Sequence, residues 1–557
     1  MDATSASTVG SSFGVRATTT LRRPVALLPA ALAVAALVVF VGSPVWGWFP
    51  VVRLTALLWP VLVAALTAVA PWQWRESDWD GAARWEPSRR QLAAGVAASA
   101  VALLWIVYSR FVAGEINAVD FTIYFDRPLF QTSRGNWYFV ESANEARFAN
   151  LSHLAVHAYW ILLPLSLLYW IHATPLWLLA LSVVAVVAGG VHTYRIVREI
   201  GGSAALAAAA GLAFLLNDNT ARTLNYGFHA EVLYAWFVPW AIDAGLRRAR
   251  ASFLLAAIAS VLVKEDAIFP LFALSMTLAL MRRQEMDAAD RMIFLGVPTA
   301  LALLNLWLFW TLVVPWLSPG GEVMYESFWG SHGATPWQAG ISLIKHPGTL
   351  FAGVLTSGVF SIVLIRHLFL PLLGWRWLVG VVPLLAVYGA SDNDQIRMFG
   401  IYYAIPLVPF LTVAGASGAR ALAARMCGAS RSELVAALLV VVSALVLRPG
   451  YMLRPWRPEL AQVKTLVNQL ASEDRILVQS GLYPHAGYAS NAQLLAPPSL
   501  SDPASAGAML LLAPDVSAFP FDRSELQCLA SGPGREQLSE GLLAVRLTER
   551  ALSCRNR

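Results

Sequence analysis

The sequence predicts an all-α polytopic membrane protein with a small C-terminal α/β domain, and three observations lead to this fold class. Of the 557 residues, 57% are hydrophobic and 13% are charged, whereas soluble domains carry about 25% charged residues. Apolar runs close to the length of about 20 residues that crosses a bilayer recur as far as residue 449. Beyond that residue the chain becomes rich in turn residues and in short strand-like runs.

The apolar runs give about thirteen candidate membrane spans, of which several are short for a full crossing. Residues 1–20 are rich in Ser and Thr, which predicts a disordered cytoplasmic segment. No small-residue cleavage site follows the first run, so we interpret it as a retained helix rather than a signal peptide. The candidate spans lie at about 24–43, 50–71, 92–112, 175–194, 203–217, 230–246, 251–263, 267–281, 292–316, 350–366, 369–388, 401–416 and 433–449.

Arginine clusters between the spans predict the orientation, because Lys and Arg concentrate in cytoplasmic loops. The segment from His153 to His172 is apolar, but a crossing there would place Arg195 and Arg198 outside. We therefore interpret it as an interfacial helix that does not cross. The N-terminus is then cytoplasmic, the C-terminus is extracytoplasmic, and the polar loops share the outer face. The clusters lie at 16–23, 75–90, 195–198, 247–250, 282–291 and 420–431.

Four regions follow from these features. Residues 1–20 form the cytoplasmic N-terminus, 21–91 a transmembrane hairpin with an inner loop, 92–449 the transmembrane core, and 450–557 an extracytoplasmic α/β domain. The last region contains a predicted helix at Pro458–Ala471 and strands at Arg475–Gln479, Ala508–Leu512 and Gly541–Leu547.

The three cysteines are divided between the predicted compartments. Cys528 and Cys554 lie in the extracytoplasmic region, where disulfides persist, and Cys427 lies in an inner loop, where a thiol stays reduced. Either a Cys528–Cys554 bridge or two free thiols fits the sequence, because the Cα separation decides between them.

Lys264, Glu265 and Asp266 interrupt the apolar run from Ala251 to Leu280. A charge at the centre of a bilayer costs roughly 2.5–3.5 kcal/mol, so three charges there would cost about 10 kcal/mol. The run is therefore predicted to be two helices, with the three charges at a membrane face or in a watery cavity. They are interpreted either as a site where Lys264 binds phosphate or as an internally paired turn.

Two further outer loops carry side chains suited to chemistry. Asp120 follows a span and stands among aromatic residues, which suits either a general base for an acceptor hydroxyl or a helix cap. His229 and Glu231 precede a span and would position an acceptor, or hold a metal with another carboxylate, or simply favour the helix start. His153 and His157 are one helical turn apart, and helix packing is the alternative to a binding role for them.

Taken together, these segments resemble an uncharacterised family of bacterial predicted membrane proteins. That family is in turn similar to the GT-C superfamily of polytopic glycosyltransferases, which take a sugar from a polyprenyl-phosphate carrier on the outer leaflet. The resemblance implies a GT-C-like fold with about 13 transmembrane helices in the bacterial inner membrane. It covers about residues 92–485 and rests on Asp120–Gly135, His153–Pro164, Phe228–Glu231, Lys264–Asp266 and Tyr483–His485.

The resemblance also implies roles for particular residues. Asp120 matches the catalytic base. Apart from the resemblance, we expect Lys264, assisted by Arg222 or Arg397, to offset charge on the leaving phosphate. The implied partners are a polyprenyl-phosphate-linked sugar and membrane lipids. No metal ligand is assigned, although a divalent metal is compatible with the site. The net charge of +6 is interpreted as membrane orientation, so no nucleic acid is expected. The substrate-binding residues are His153, His229, Glu231, Lys264, Glu265 and Asp266.

Two other functions fit the same features. A transporter or flippase of a lipid-linked substrate would use the same charged cavity, and internal pseudo-symmetry would favour it. A non-catalytic scaffold would present the outer domain to a partner. Convergence of Asp120, His229 and Lys264 would favour the enzyme over the scaffold.

Overall fold

The computed structural model describes residues 85–138, 152–318, 326–358, 367–427, 429–445, 451, 453–532, 534–539 and 541–548. The predicted N-terminal segment and the first two predicted spans, at 24–43 and 50–71, lie outside these residues. The described chain is mainly helical as far as residue 445, and it then forms a five-stranded sheet with short helices. The predicted combination of a helical core with a C-terminal α/β region is therefore observed.

The first helices alternate with short polar segments. Ser88 caps α1 through its own side chain, and Gln91 completes the capping box. The side chains of Ser203 and Asn217 likewise accept a backbone hydrogen bond at the N-termini of α5 and α6. The bounds are α1 Arg89–Val112, α2 Arg127–Ser133, α3 Leu162–Ile171, α4 Leu176–Glu199, α5 Ala204–Leu216, α6 Asp218–Asn225, α7 Tyr234–Leu246, α8 Arg250–Val261 and α9 Ile268–Arg282.

The second half of the core begins with the longest described helix, α10, over Ala288–Leu317. Two π-helical segments, Met292–Gly296 and Phe309–Val313, interrupt its α-helical hydrogen bonding. Single helical turns lie at Glu326–Trp329, Leu370–Leu373 and Asp394–Arg397. The remaining bounds are α11 Pro336–Lys345, α12 Pro347–Thr356, α13 Trp375–Gly389, α14 Val408–Cys427 and α15 Ala429–Leu445.

Among the described helices, α1, α4 and α10 are long and apolar enough to cross a membrane. Helices such as α5, with 13 residues, cover about 20 Å of a hydrocarbon core that is about 30 Å thick. The predicted interfacial helix His153–His172 begins with a 3-10 turn at His153–Ala155 and is α-helical only over Leu162–Ile171, so α3 covers about 15 Å. Its first part is held in turns because Ile161 N–H donates to the Leu262 carbonyl at 2.8 Å. Because α3 is about half as long as the hydrocarbon core is thick, α3 alone is too short to cross the membrane.

Glycines allow the core helices to pack closely. A Cβ at Gly189 of α4 would lie 2.1 Å from the Ala235 carbonyl oxygen of α7. A Cβ at Gly418 of α14 would lie 1.9 Å from the Leu370 carbonyl oxygen. Any larger residue at these two positions would push the helices apart.

The C-terminal region forms a mixed sheet with strand order β2-β1-β3-β5-β4. Strand β1 pairs in parallel with β2 and β3, and β5 runs antiparallel to β3 and β4. Helices cover both faces of the sheet, with Leu460 and Val463 on one and Leu526 and Leu529 on the other. The bounds are α16 Val463–Gln469, β1 Ile476–Val478, β2 Ala492–Leu494, α17 Pro497–Ser501, β3 Met509–Leu512, α18 Arg523–Ala530, β4 Glu536–Ser539 and β5 Leu542–Arg546.

This sheet packs directly on the first polar loop of the core. Ala118 and Ile123 share a hydrophobic cluster with the sheet residues. Arg127 donates to the carbonyl oxygens of Gly487 at 2.9 Å and Ala489 at 2.8 Å. The C-terminal region is therefore held against the segment that carries Asp120.

Of the predicted cysteine pair, Cys528 is disulfide-bonded, and its expected partner, Cys554, lies outside the described residues. Cys427 is a free thiol, as expected.

Candidate functional site

The polar loops meet around Glu231, at one end of the helix bundle. Lys264 Nζ donates to Glu231 Oε1 at 2.7 Å, and His229 Nδ1 forms a hydrogen bond with Oε2. The Tyr159 hydroxyl lies 3.4 Å from Oε1. The side chains of Glu231 and Lys264 are 3% and 7% exposed, so this ion pair is buried. A carboxylate that is buried with a cation and further hydrogen-bond partners has much of its desolvation cost offset.

Each of the three charges at 264–266 has a partner from elsewhere in the chain. Glu265 accepts hydrogen bonds from the His157 ring at 2.7 Å and from the Ala158 N–H at 2.8 Å. Asp266 accepts from the Tyr234 hydroxyl at 2.9 Å, and its distance to Lys264 Nζ is 3.9 Å. The closest partners of these charges therefore come from other loops, and the pair of Lys264 with Asp266 is the longest of these contacts.

Asp120 lies in a π-helical segment, Val119–Asp126, which follows α1. Its Oδ2 accepts hydrogen bonds from Asn117 Nδ2 at 3.0 Å and from the Tyr226 hydroxyl. The Tyr226 ring contacts Tyr402, which stacks on His229 with 3.6 Å between ring centroids. Asp120 is therefore linked to the Glu231 cluster through two tyrosines and a histidine.

The surroundings set the proton affinity of each carboxyl group. Burial raises the pKa of Asp120, although the charge of His229 and the Tyr226 hydrogen bond oppose the shift. Burial also raises the pKa of Asp266 to about 7, against the charge of Lys264. Burial would raise the pKa of Glu231 as well, but His229 and Lys264 outweigh it and hold that pKa well below its usual range. Neighbouring carboxyl groups therefore favour different protonation states, a feature typical of functional sites.

His153 lies beside the cluster without a hydrogen bond to it. Its ring stacks on Tyr124 with 4.4 Å between centroids, and neither ring nitrogen has a hydrogen-bond partner. Burial lowers its pKa well below the usual value, so the ring is neutral. A buried polar atom without a partner costs about 1–3 kcal/mol, which makes His153 an expensive side chain to keep for packing alone.

A polar cavity and an apolar cavity adjoin at Glu265 and Asp266. Of the predicted site residues only Lys264, Glu265 and Asp266 line them, whereas Asp120, His153, His229 and Glu231 line neither. The polar one, of about 80 Å³, is lined by His157, Lys264 and Tyr403 among others. The apolar one, of about 400 Å³, is lined by side chains such as Trp337 and Ile344 of α11. Five residues line both cavities: Glu265, Asp266, Phe269, Trp310 and Trp329.

Among the described residues, no group of three or more His, Cys, Asp or Glu side chains is arranged to hold a metal ion.

The two arginines predicted to assist Lys264 form ion pairs with other residues. Arg222 pairs with Asp218 at 2.8 Å, and Arg397 pairs with Asp394. Neither arginine lines the two cavities.

A family model described as "Predicted membrane protein (DUF2079)" matches residues 115–503. The chain belongs to the DUF2079 family. The matched region contains the whole cluster from Asp120 to Tyr403, and it begins and ends later than the predicted 92–485. The membrane class and the expected family are therefore confirmed.

Two solved structures show limited similarity to this chain. ArnT from Cupriavidus metallidurans bound to undecaprenyl phosphate is similar to 83% of this chain over 99% of its own, with 10% identity and a TM-score of 0.46. The arabinofuranosyltransferase AftD from Mycobacteria is similar to 84% of this chain over 40% of its own, with 14% identity and a TM-score of 0.41. No curated protein sequence matches the chain.

Two residues near the Glu231 cluster were not predicted from the sequence. Tyr402 and Tyr403 contact each other at 4.6 Å between centroids and link His229 to the polar cavity. They lie within a predicted span, where tyrosine is an ordinary residue. Their position after the polar segment Ser391–Arg397 is the one signal that places them at the outer end of that span.

Proposed function

We propose that this protein transfers a sugar from a polyprenyl-phosphate carrier to an acceptor hydroxyl on the extracytoplasmic side of the bacterial inner membrane. The observation that carries the proposal is the pair of adjoining cavities whose shared wall includes Glu265 and Asp266. A polar cavity that shares five wall residues with an apolar one suits a substrate with a charged head group and a long apolar chain. Trp310 and Trp337 would contact the chain.

The polar cavity supplies groups for the carrier phosphate. Lys264 has three N–H donors, of which one binds Glu231 at 2.7 Å, and another donor would bind a phosphate oxygen. Asp266, with a pKa raised by burial to about 7, is in part neutral at physiological pH, so it repels the phosphate less than an ionised carboxylate. We assign Lys264, Glu265 and Asp266 to the phosphate end of the donor substrate.

Asp120 suits the general base. Its raised pKa makes it a better proton acceptor than a solvated aspartate, and Asn117 and Tyr226 fix its orientation. Asp120 would take the proton of the acceptor hydroxyl while that oxygen bonds to the anomeric carbon of the sugar. The bond from this carbon to the phosphate oxygen breaks, and the carrier leaves as polyprenyl phosphate. A single displacement of this kind inverts the anomeric configuration.

Glu231, His229 and His153 would support the phosphate-binding residue Lys264 and the base Asp120. Glu231 bonds Lys264 on one oxygen and His229 on the other, so it would fix the phosphate-binding and acceptor-binding halves relative to each other. His153, whose ring nitrogens have no partner, has free capacity to bind substrate. We assign both histidines and Glu231 to substrate binding.

The sidedness rests on charge distribution. Arg195, Arg198 and Arg282 lie at the ends of α4 and α9 that are opposite to the Glu231 cluster. Because arginine concentrates on the cytoplasmic side, the cluster would face outward, the N-terminus inward, and the α/β region of residues 450–557 outward.

Binding of undecaprenyl phosphate to the purified full-length protein, measured by native mass spectrometry, tests the carrier part of the proposal. Ile344 lines the apolar cavity and is 79% exposed, so Ile344→Asp should weaken binding about tenfold or more without unfolding the chain. Ile171, 75% exposed and outside both cavities, provides the matched control Ile171→Asp, which should bind normally. Equal binding by both variants, or no binding by the unmodified protein, would reject the proposal.

A further inference from the structure

Another cavity, of about 480 Å³, lies at the opposite end of the helix bundle. Helix α9 begins at Ile268, two residues after Asp266, and its last turn contributes Met281 to this cavity. Helix α13 begins at the cavity with Trp375 and ends beside Tyr388, which lines the polar cavity of the Glu231 cluster. Each of these helices has 15 residues and is about 22 Å long. The two sites therefore lie at opposite ends of the same helices.

The walls of this cavity are apolar and its charges are cationic. Leu206, Met281 and Leu373 form part of the apolar wall, and the charged side chains that line it are Arg376 and Arg420. No carboxylate is among the lining residues. Its volume lies in the range of small-molecule sites, which is about 300–1,000 Å³.

The two arginines differ in how far they are already paired. Arg420 forms an ion pair with Glu433 at 2.6 Å. Arg376 contacts the ring of Trp375 at 5.9 Å, and within the described chain no carboxylate forms an ion pair with it. Arg376 therefore supplies the uncompensated charge of the cavity.

An apolar surface continues outward from the cavity. Leu372, Leu373 and Trp375 are 49%, 43% and 56% exposed. Exposed apolar side chains beside a cationic pocket suit a molecule with an anionic head and hydrocarbon chains. Basic pockets between transmembrane helices on the cytoplasmic side bind anionic lipid head groups elsewhere.

We infer that this cavity binds an anionic glycerophospholipid of the cytoplasmic leaflet, with the lipid phosphate at Arg376 and Arg420. The acyl chains lie along Leu372, Leu373 and Trp375. The bound lipid joins the inner ends of α4, α9, α13 and α14, because residues of all four helices line the cavity. This inference does not depend on the proposed transfer activity.

Native mass spectrometry of the full-length protein in a neutral detergent tests the inference. Phosphatidylglycerol and phosphatidylcholine with the same acyl chains are titrated separately. We expect retention of one phosphatidylglycerol and at least fivefold weaker retention of phosphatidylcholine, since one arginine near the surface changes anionic-lipid binding about fivefold. Equal retention of the two lipids would overturn the inference.

Variants locate the site. Arg376→Gln should weaken phosphatidylglycerol binding about fivefold or more, and Arg376→Lys should restore most of it. The control Arg425→Gln changes an exposed arginine of α14 that does not line the cavity, and it should bind as the unmodified protein does. An unchanged affinity in Arg376→Gln would overturn the assignment.

A competition experiment separates a lipid from a free phosphate. Soluble glycerol phosphate at the lipid concentration should leave phosphatidylglycerol bound, because the apolar walls contribute to binding. Displacement by glycerol phosphate at that concentration would show a simple anion site and refute the lipid assignment.

Discussion

Replacing Lys264 by Met should destabilise the protein strongly. Methionine has a similar length and no charge, so the change leaves Glu231 buried with His229 as its remaining close partner. Removing one partner of a buried ion pair typically costs about 3–5 kcal/mol, because the other charge stays in a poorly solvated site. We expect a loss of this size in the free energy of unfolding.

The partner variant separates the ion pair from packing. In Lys264→Met/Glu231→Gln no ionised carboxylate remains at position 231, so the double variant should lose less than the sum of the two single variants. Contacting residues of this kind couple by about 0.5–3 kcal/mol. Arg282→Met is the matched control, since Arg282 pairs with Glu285 at 2.7 Å and with Glu199 at 3.5 Å, and these glutamates are 54% and 34% exposed. Removing an exposed pair costs about 1 kcal/mol or less.

The assay is reversible unfolding of the purified protein in mixed micelles at pH 7, followed by far-ultraviolet circular dichroism. The unmodified protein, the two single variants, the double variant and Arg282→Met, five proteins in all, are measured in the same detergent mixture. A loss in Lys264→Met that is no larger than the loss in Arg282→Met would refute the description of the Glu231 cluster as a buried network.

Three further outcomes are expected. The Tyr169 and Tyr488 hydroxyls both donate to Asp126 Oδ1, and burial raises the pKa of this carboxyl from 3.8 to about 6. Stability from Asp126 is therefore present below pH 4 and is lost as the pH rises through 6, by about 3 kcal/mol. Asp126→Asn and Asp126→Leu should both remove this pH dependence, because neither side chain titrates, but only Asn keeps an acceptor for the two hydroxyls and should keep the stability at pH 7. An unchanged pH profile in Asp126→Asn would contradict this. Cys528 should resist thiol labelling in unreduced protein, and its labelling would exclude the bridge. Cysteines placed at 173 and 198 should be labelled from opposite sides of the membrane, and labelling from one side would overturn the topology.

Features that depend on the free energy of placing particular residues in a membrane could be predicted from the sequence. Three charges in an apolar run cannot remain at the centre of a bilayer, and the chain does break between α8 and α9 at Lys264–Asp266. The same argument did not reveal the partners of these charges. Glu231 is 33 residues from Lys264, and His157 is 108 residues from Glu265, so both pairs depend on how distant helices pack.

Helix bounds were the weaker part of the prediction. The predicted span at 401–416 begins as turns, and α14 starts at Val408 and continues to Cys427. Phe399 and Ile401 have positive φ values of 52° and 47°, a conformation that stops a helix from forming there. Phe and Ile rarely adopt such a backbone, so this turn cannot be predicted from the residue types.

The C-terminal region shows a similar division. The predicted strands overlap β1, β3 and β5, which are short and buried. Strand β2 has three residues and β4 is half exposed, with the sequence Glu-Gln-Leu-Ser. Such strands form because a neighbouring strand is already in place, and they carry no alternating pattern of their own.

The most direct test of the account is release of polyprenyl phosphate from a panel of polyprenyl-phosphate-linked sugars in proteoliposomes, measured by mass spectrometry. The unmodified protein should release the carrier from at least one sugar when an acceptor is present. Asp120→Asn should bind undecaprenyl phosphate normally but release the carrier about 10²–10⁴-fold more slowly, the usual effect of losing a general base. Release at an undiminished rate by Asp120→Asn would contradict the account.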